Sequence, residues 1–118
     1  MDFKQSHSLE NRAKECRRIL EKFPGRVPVI VERGTTGKTD SLPLIDKSKF
    51  LVPGDLTLGQ FSYVIRKRIT LSPDRSLFLF MANQLPTTGS LMSELYWRFR
   101  DEEDGFLYVK YCGEATFG

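Results

Sequence analysis

Leu9, Ala13, Cys16, Ile19, Leu20 and Phe23 recur at helical spacing, and Arg12, Lys14, Glu15, Arg17, Arg18 and Glu21 fill the positions between them. This pattern predicts an amphipathic helix over 9–22, with Ser8 as its N-cap and FPGR (23–26) as its stop. Cys16 lies on the apolar stripe, so burial is expected of it rather than reactivity. RVPVIVER (26–33) is β-branched and reads as a strand. Pro28 has no N–H to give a ladder, which points to a sheet edge or a strand start. KFLVP (49–53) is a second, short strand. A period of two puts Phe50 and Val52 on one face and Leu51 on the other.

DLTLGQFSYVIRKRI (55–69) predicts a second helix. Thr57 and Gln60 form a capping box, and Leu58, Phe61 and Ile65 share a face. Arg66, Lys67 and Arg68 crowd its C-terminal end, where cations suit the helix dipole. SLFLFMA (76–82) is apolar on both faces, as a central strand is. NQLP (83–86) reads as a turn, and Ser90 as the cap of a short helix over 91–99. DEED (101–104) reads as a solvated acidic turn before a last strand, FLYVKY (106–111). Without its first helix the order is ββαβαβ, an α+β domain of helices on a mixed four-stranded sheet. That is the element order of ubiquitin-like β-grasp folds.

At 118 residues and 40% hydrophobic content the chain is one domain with one ordinary core. The net charge of +3 is concentrated in residues 1–26, which carry seven basic and four acidic groups; the remainder is balanced. From charge alone this segment is first a solvated helix face, and otherwise a surface for acidic peptides, anionic lipid or nucleic acid. No recognition motif accompanies the basic groups, so no nucleic-acid partner is expected. GTTGKT (34–39) resembles a phosphate-binding loop, but that loop's first glycine would fall on Glu32 and Pro43 stands where a helix should follow. Catalysis has no convincing constellation: His7 is the one histidine, placed in an N-terminus expected to be mobile. Cys16 and Cys112 have no zinc spacing, so neither a metal nor a cofactor is expected. The start has no apolar signal stretch, and no apolar run nears the ~18 residues of a membrane span. A reducing intracellular compartment is expected. The short KFLVP strand, preceded by Lys47 and beginning at Lys49, is the better lead, because an exposed strand edge accepts an added peptide strand.

FPGRVPVIVER, IDKSKFLVPGDLTLGQFSYVIRKRI, DEEDGFLYVKY and GEATFG together resemble the autophagy-related ubiquitin-like modifiers of the GABARAP type, over nearly the whole chain. The resemblance implies a β-grasp unit over 26–112 with an N-terminal helical extension over 1–25 and a conjugation tail over 113–118. A further short helix would fall within 2–7. It implies a protein that is not an enzyme and is a monomer in solution. Gly118 would be conjugated to phosphatidylethanolamine through an activating and a conjugating enzyme, with Phe117 and Thr116 in the tail that enters their active sites. It also implies a cytoplasmic protein that moves to autophagosomal membranes on lipidation. Gly118 is either the encoded last residue or one exposed by a processing cysteine protease.

The same resemblance implies a groove for cargo receptors bearing aromatic-x-x-aliphatic motifs. Glu15, Ile19, Pro28, Ile30, Leu51 and Phe106 would form its aromatic pocket. Phe50, Val52, Pro53, Leu56, Phe61 and Val64 would form its aliphatic pocket. Lys47, Lys49 and Arg68 would meet acidic flanks, and Phe78 with Phe80 would form a second partner surface. The alternative is an unconjugated β-grasp adaptor in membrane trafficking, or a plastid role in a protist. Four features depart from the family pattern: a long Gly/Thr-rich loop over 34–43, a slightly short N-terminus, Cys112 in place of serine, and Trp97.

Overall fold

A computed structural model describes residues 2–34 and 42–115. The chain opens with a single helical turn, α1 (Phe3–Ser6), closed by a capping box between Asp2 and Gln5. Its position agrees with the short helix implied for 2–7. Helix α2 (Leu9–Lys22) follows, capped by Ser8, whose hydroxyl accepts from the Asn11 amide. Then come β1 (Arg26–Arg33), β2 (Lys49–Pro53), α3 (Leu58–Arg68), β3 (Phe78–Phe80), α4 (Met92–Phe99) and β4 (Leu107–Cys112). The Thr57–Gln60 capping box forms as the sequence predicts.

The sheet order is β2-β1-β4-β3. β1 runs antiparallel to β2 and parallel to β4, and β3 is antiparallel to β4. The expected four-stranded mixed sheet is therefore present, with β1 and β4 at its centre. Helices cover both faces. Val27, Val29 and Val31 of β1 point into the main core with Phe61, Ile65, Met92 and Leu95. Ile30 points the other way, into a smaller core with Phe3, Cys16, Ile19 and Phe106. The two helices at the N-terminus thus bury one face of the sheet while α3 and α4 bury the other.

Pro28 is not at an edge. It sits in central β1 opposite Leu51. The Val31 amide donates to Ser48 and the Gly54 amide to the Gly25 carbonyl. Bonds to β2 therefore fall at odd β1 positions, and Pro28 lies between them. Its nitrogen faces the β4 side, where pairing starts only at Val29 with Leu107. The missing N–H thus has no partner to lose.

Strand β3 is at an edge, not central. Leu79 and Phe80 are buried, and Leu85 and Pro86 of the following loop lie beside Phe78. Loop cover makes an edge strand apolar on both faces, so composition alone misplaced it. The tight turn that follows spans Met81–Gln84, whose ends exchange two backbone hydrogen bonds around Ala82 and Asn83, both at positive φ.

The cap of α4 is Leu91, one residue later than expected. Its amide donates to Glu94, while the Ser90 hydroxyl is engaged with Thr87.

The acidic turn is only half solvated. Asp104 is buried, accepts from Arg12 Nε at 2.9 Å and receives the Tyr108 hydroxyl. Asp101 pairs with Lys4 at 2.6 Å. Burial alone would raise the Asp101 carboxyl, but Lys4 and the Asp104 and Glu103 amides hold it below its ordinary value. Arg12, read as part of the polar face of α2, is accordingly buried. Its guanidinium also donates to the Lys4 and His7 carbonyls. His7 is fixed as well, its ring stacked on Phe3 at 4.5 Å.

Candidate functional site

Strand β2 is one of the two outer strands of the sheet, and its bonds to β1 fall at Ser48, Phe50, Val52 and Gly54. The outward-facing backbone groups therefore belong to Lys49, Leu51 and Pro53, and proline supplies only a carbonyl. Arg26 Nη1 reaches across and donates to the Leu51 carbonyl at 3.0 Å.

Between this edge and α2 lies a cleft of about 500 Å³, lined by Glu15, Arg18, Ile19, Phe23, Arg26, Lys47, Lys49 and Leu51. The short step from α2 to β1 through FPGR places Phe23 and Arg26 in the lining of this cleft. Beneath it, Ile30 and Phe106 are wholly buried in the smaller core, and half-buried Leu51 packs against them. Pro28 is also buried. Of the six residues implied for an aromatic pocket, Glu15, Ile19 and Leu51 line the opening, whereas Pro28, Ile30 and Phe106 lie below it. Glu15 and Lys49 form an ion pair across the cleft mouth.

On the other side of β2, Phe50 and Phe61 meet edge-on with centroids 5.8 Å apart. Both are buried in the main core with Val52. Of the other residues implied for an aliphatic pocket, Val64 is exposed and Pro53 and Leu56 are half-buried. Lys47 Nζ sits 5.1 Å from the Phe50 ring centroid, and the Arg68 guanidinium 6.0 Å. Arg68 Nε is paired with Asp46 at 2.9 Å, and that hydrogen bond holds the Asp46 carboxyl below its ordinary value. Lys49 and Arg68 therefore enter any encounter already paired within the chain.

Phe78 and Phe80 separate. Phe78 is half-buried and lines a small cleft of about 150 Å³ with Leu58, Leu77 and Leu85. Phe80 is buried. Thr116, Phe117 and Gly118 lie outside the described residues, as do residues 35–41 of the long loop. Cys16 and Cys112 are both buried free thiols, and burial pushes both pKa values up, away from the thiolate. Among the described residues no three His, Cys, Asp or Glu side chains are grouped to hold a metal ion, and no helix is long and apolar enough to cross a membrane.

An outer strand with a cleft on one face, packed core on the other and a basic rim has close parallels among known proteins. The family model described as autophagy protein Atg8, ubiquitin-like, matches residues 11–118. The chain belongs to the Atg8 family. It is 56% identical over 116 residues to autophagy-related protein 8d of Arabidopsis thaliana, covering 98% of this chain and 93% of that protein. It is 55% identical over 116 residues to autophagy-related protein 8 of Mycosarcoma maydis, covering 98% and 95% of the two chains. The crystal structure of Trypanosoma brucei ATG8 matches its fold with a TM-score of 0.89 at 40% identity, covering 100% of this chain and 98% of that one. This Atg8-family chain is thus an autophagy ubiquitin-like protein.

Arg18, Phe23 and Arg26 also line the large cleft but escape the sequence reading. Phe23 has the helical phase of a core residue, yet it is the C-cap of α2 and is 38% exposed. Arg26 is the first strand residue, and only its hydrogen bond to the Leu51 carbonyl shows that its side chain reaches the β2 edge.

Proposed function

We propose that this Atg8-family protein is a modifier joined through Gly118 to phosphatidylethanolamine, and that it recruits cargo receptors through the β2 edge. The observation that carries the peptide reading is the outer edge at Lys49 and Leu51, which pairs with no further strand among the described residues and has only its Leu51 carbonyl engaged, by Arg26, with the 500 Å³ cleft on one face and exposed Val64 and half-buried Leu56 on the other. A peptide strand laid on that edge sends alternate side chains to opposite faces, which suits an aromatic-x-x-aliphatic spacing. Lys47, Lys49, Arg68 and Arg26 favour carboxylates beside the motif and speed encounter more than they add affinity.

For the conjugation reading, glycine is the residue that fits a narrow transferase channel, having no Cβ and a wide φ range. Residues 26–112 are the β-grasp unit in this reading, 1–25 its helical extension and 113–118 the tail. Activating and conjugating enzymes and a processing cysteine protease act on the tail, and Phe78 contributes to a second partner surface. The protein is a monomer that acts as a substrate and adaptor rather than as an enzyme. It passes from the cytoplasm to the autophagosomal membrane and binds no nucleic acid.

The test is reconstitution with the activating enzyme, the conjugating enzyme and phosphatidylethanolamine vesicles. Gly118→Ala should abolish the faster-migrating lipidated species while leaving motif-peptide binding intact. Lipidation unchanged by Gly118→Ala would overturn the conjugation reading and leave a peptide-binding adaptor.

A further inference from the structure

Trp97 is 70% exposed, on the outward face of α4 next to buried Tyr96. A single exposed apolar side chain is ordinary by itself; this one is set apart by what surrounds it. It is held in place. Its ring packs edge-on against Tyr96 at 5.5 Å, and the Arg100 guanidinium lies 4.9 Å from its centroid. Beneath it is a cleft of about 240 Å³, lined among others by Leu20, Pro24, Arg26, Val27 and Tyr96. Leu20 is 38% exposed there, on the side of α2 that turns away from the larger cleft.

Two facts indicate what fills the cleft. Among the described residues its one charged lining residue is Arg26, with Arg100 at its margin, so they offer an apolar wall and cationic groups without a lining carboxylate. Arg26 also lines the 500 Å³ cleft, so the two depressions meet at one side chain. Gly54, the residue after β2, lines the smaller one. A peptide strand leaving the β2 edge at its Pro53 end therefore arrives at the Trp97 cleft within a few residues, each spanning roughly 3.3 Å.

We propose that the Trp97 cleft is an accessory peptide pocket, taking an aliphatic side chain with an adjacent carboxylate from the same partner chain that occupies the β2 edge. This rests on the peptide-docking reading above. Trp97 supplies the wide, pre-organised contact area typical of an interface anchor, and Arg26 and Arg100 meet the carboxylate. A flat bilayer makes no use of a concave site, which favours a peptide over a lipid surface.

Trp97 is the chain's single tryptophan, so it reports its own occupancy. The probes are three tryptophan-free synthetic peptides: an acidic Phe-x-x-Leu core, and the same core extended by a Gly-Ser-Leu-Glu-Glu segment at either its N- or its C-terminus. Calorimetry and Trp97 emission are recorded with the full chain. One extended peptide should bind about tenfold more tightly than the core and shift Trp97 emission, which the core should not do. Trp97→Ala, followed by calorimetry, should remove the tenfold gain and leave core affinity unchanged. Leu20→Glu should also remove the gain. If the core binds and neither extension adds affinity, or the gain survives Trp97→Ala, the accessory pocket is overturned and the β2-edge reading stands. If no peptide binds, both fall. If phosphatidylserine vesicles alone shift the emission and the extended peptides do not, the surface is a membrane contact instead.

Discussion

Arg12 Nε and Asp104 Oδ2 lie 2.9 Å apart, and the side chain of Asp104 is wholly buried. They join α2 to the turn that leads into β4. The Tyr108 hydroxyl and the Phe106 amide complete the carboxylate's partners, and the Lys4 and His7 carbonyls complete those of the guanidinium. No buried side-chain nitrogen or oxygen among the described residues lacks a partner. Removing one half strands the other, which for a buried pair costs about 3–5 kcal/mol. Arg12→Ala should therefore lower the urea midpoint sharply. Arg12→Lys should recover only part, because a point charge cannot reach Asp104 and two carbonyls in the same planar geometry. Losses below about 1 kcal/mol, as for a surface pair, would refute a structural role.

Gly105 has φ +85°, and a Cβ built there would lie 2.9 Å from Cys16 Sγ. Gly105→Ala should destabilise by about 2 kcal/mol or more, combining backbone strain with a clash. In the Cys16→Ala background the clash is gone and the strain remains, so the same substitution should cost less. A double-mutant cycle in denaturant measures this, and additive effects would show that Cys16 does not set the limit.

Burial raises the Tyr96 hydroxyl to about 12, and Tyr108 and Tyr111 are also raised, each by burial first. An unfolded tyrosine ionises near 10. The folded state thus favours the protonated form. The stability this contributes is fully present below about pH 10 and disappears as pH rises through about 12. Urea midpoints measured from pH 9 upward should fall across that window. The fall should be shallower in Tyr96→Phe, which also loses the 2.7 Å hydrogen bond to the Gly105 carbonyl.

Phe50 and Leu51 are neighbours with opposite duties. Phe50 is 7% exposed and packs on Phe61, whereas Leu51 is half-buried at the cleft. Phe50→Ala should cost about 3–5 kcal/mol of stability. Leu51→Ala should cost about 2 kcal/mol of motif-peptide affinity, as an anchor does, with little change in melting temperature. Paired calorimetry and thermal denaturation separate the two, and equal loss of stability would mean that Leu51 only packs.

The parts of this fold that repeat a simple period are legible in the sequence. Helix α2, the Thr57 cap of α3 and the alternation of Phe50, Leu51 and Val52 need only spacing and hydrogen-bonding type. What was missed depends on neighbours distant in sequence. Nothing local distinguishes β3 at an edge from β3 at the centre, because the covering Leu85 and Pro86 could equally belong to a solvated loop. Nothing local buries Asp104 while leaving Glu102 and Glu103 exposed; that requires Arg12, ninety-two positions away. Pro28 misled for a similar reason, since its tolerance depends on where β4 begins. The candidate groove was legible through family resemblance more than through chemistry. Arg26 and Phe23, which the resemblance did not supply, emerged only from the lining of the cleft between α2 and the β2 edge.

Parallel pairing of β1 with β4 also has a mechanical side. β1 starts at the Phe23–Arg26 turn and β4 leaves the sheet at the opposite pole, beside Arg33. A pull on the exit of β4, resisted by a partner gripping the start of β1, slides the two central strands lengthwise past each other. Their hydrogen bonds then share the load in shear instead of opening one at a time like a zip. A domain wired in this way resists stretching most strongly between the start of β1 and the exit of β4, the two ends that the proposed function would load.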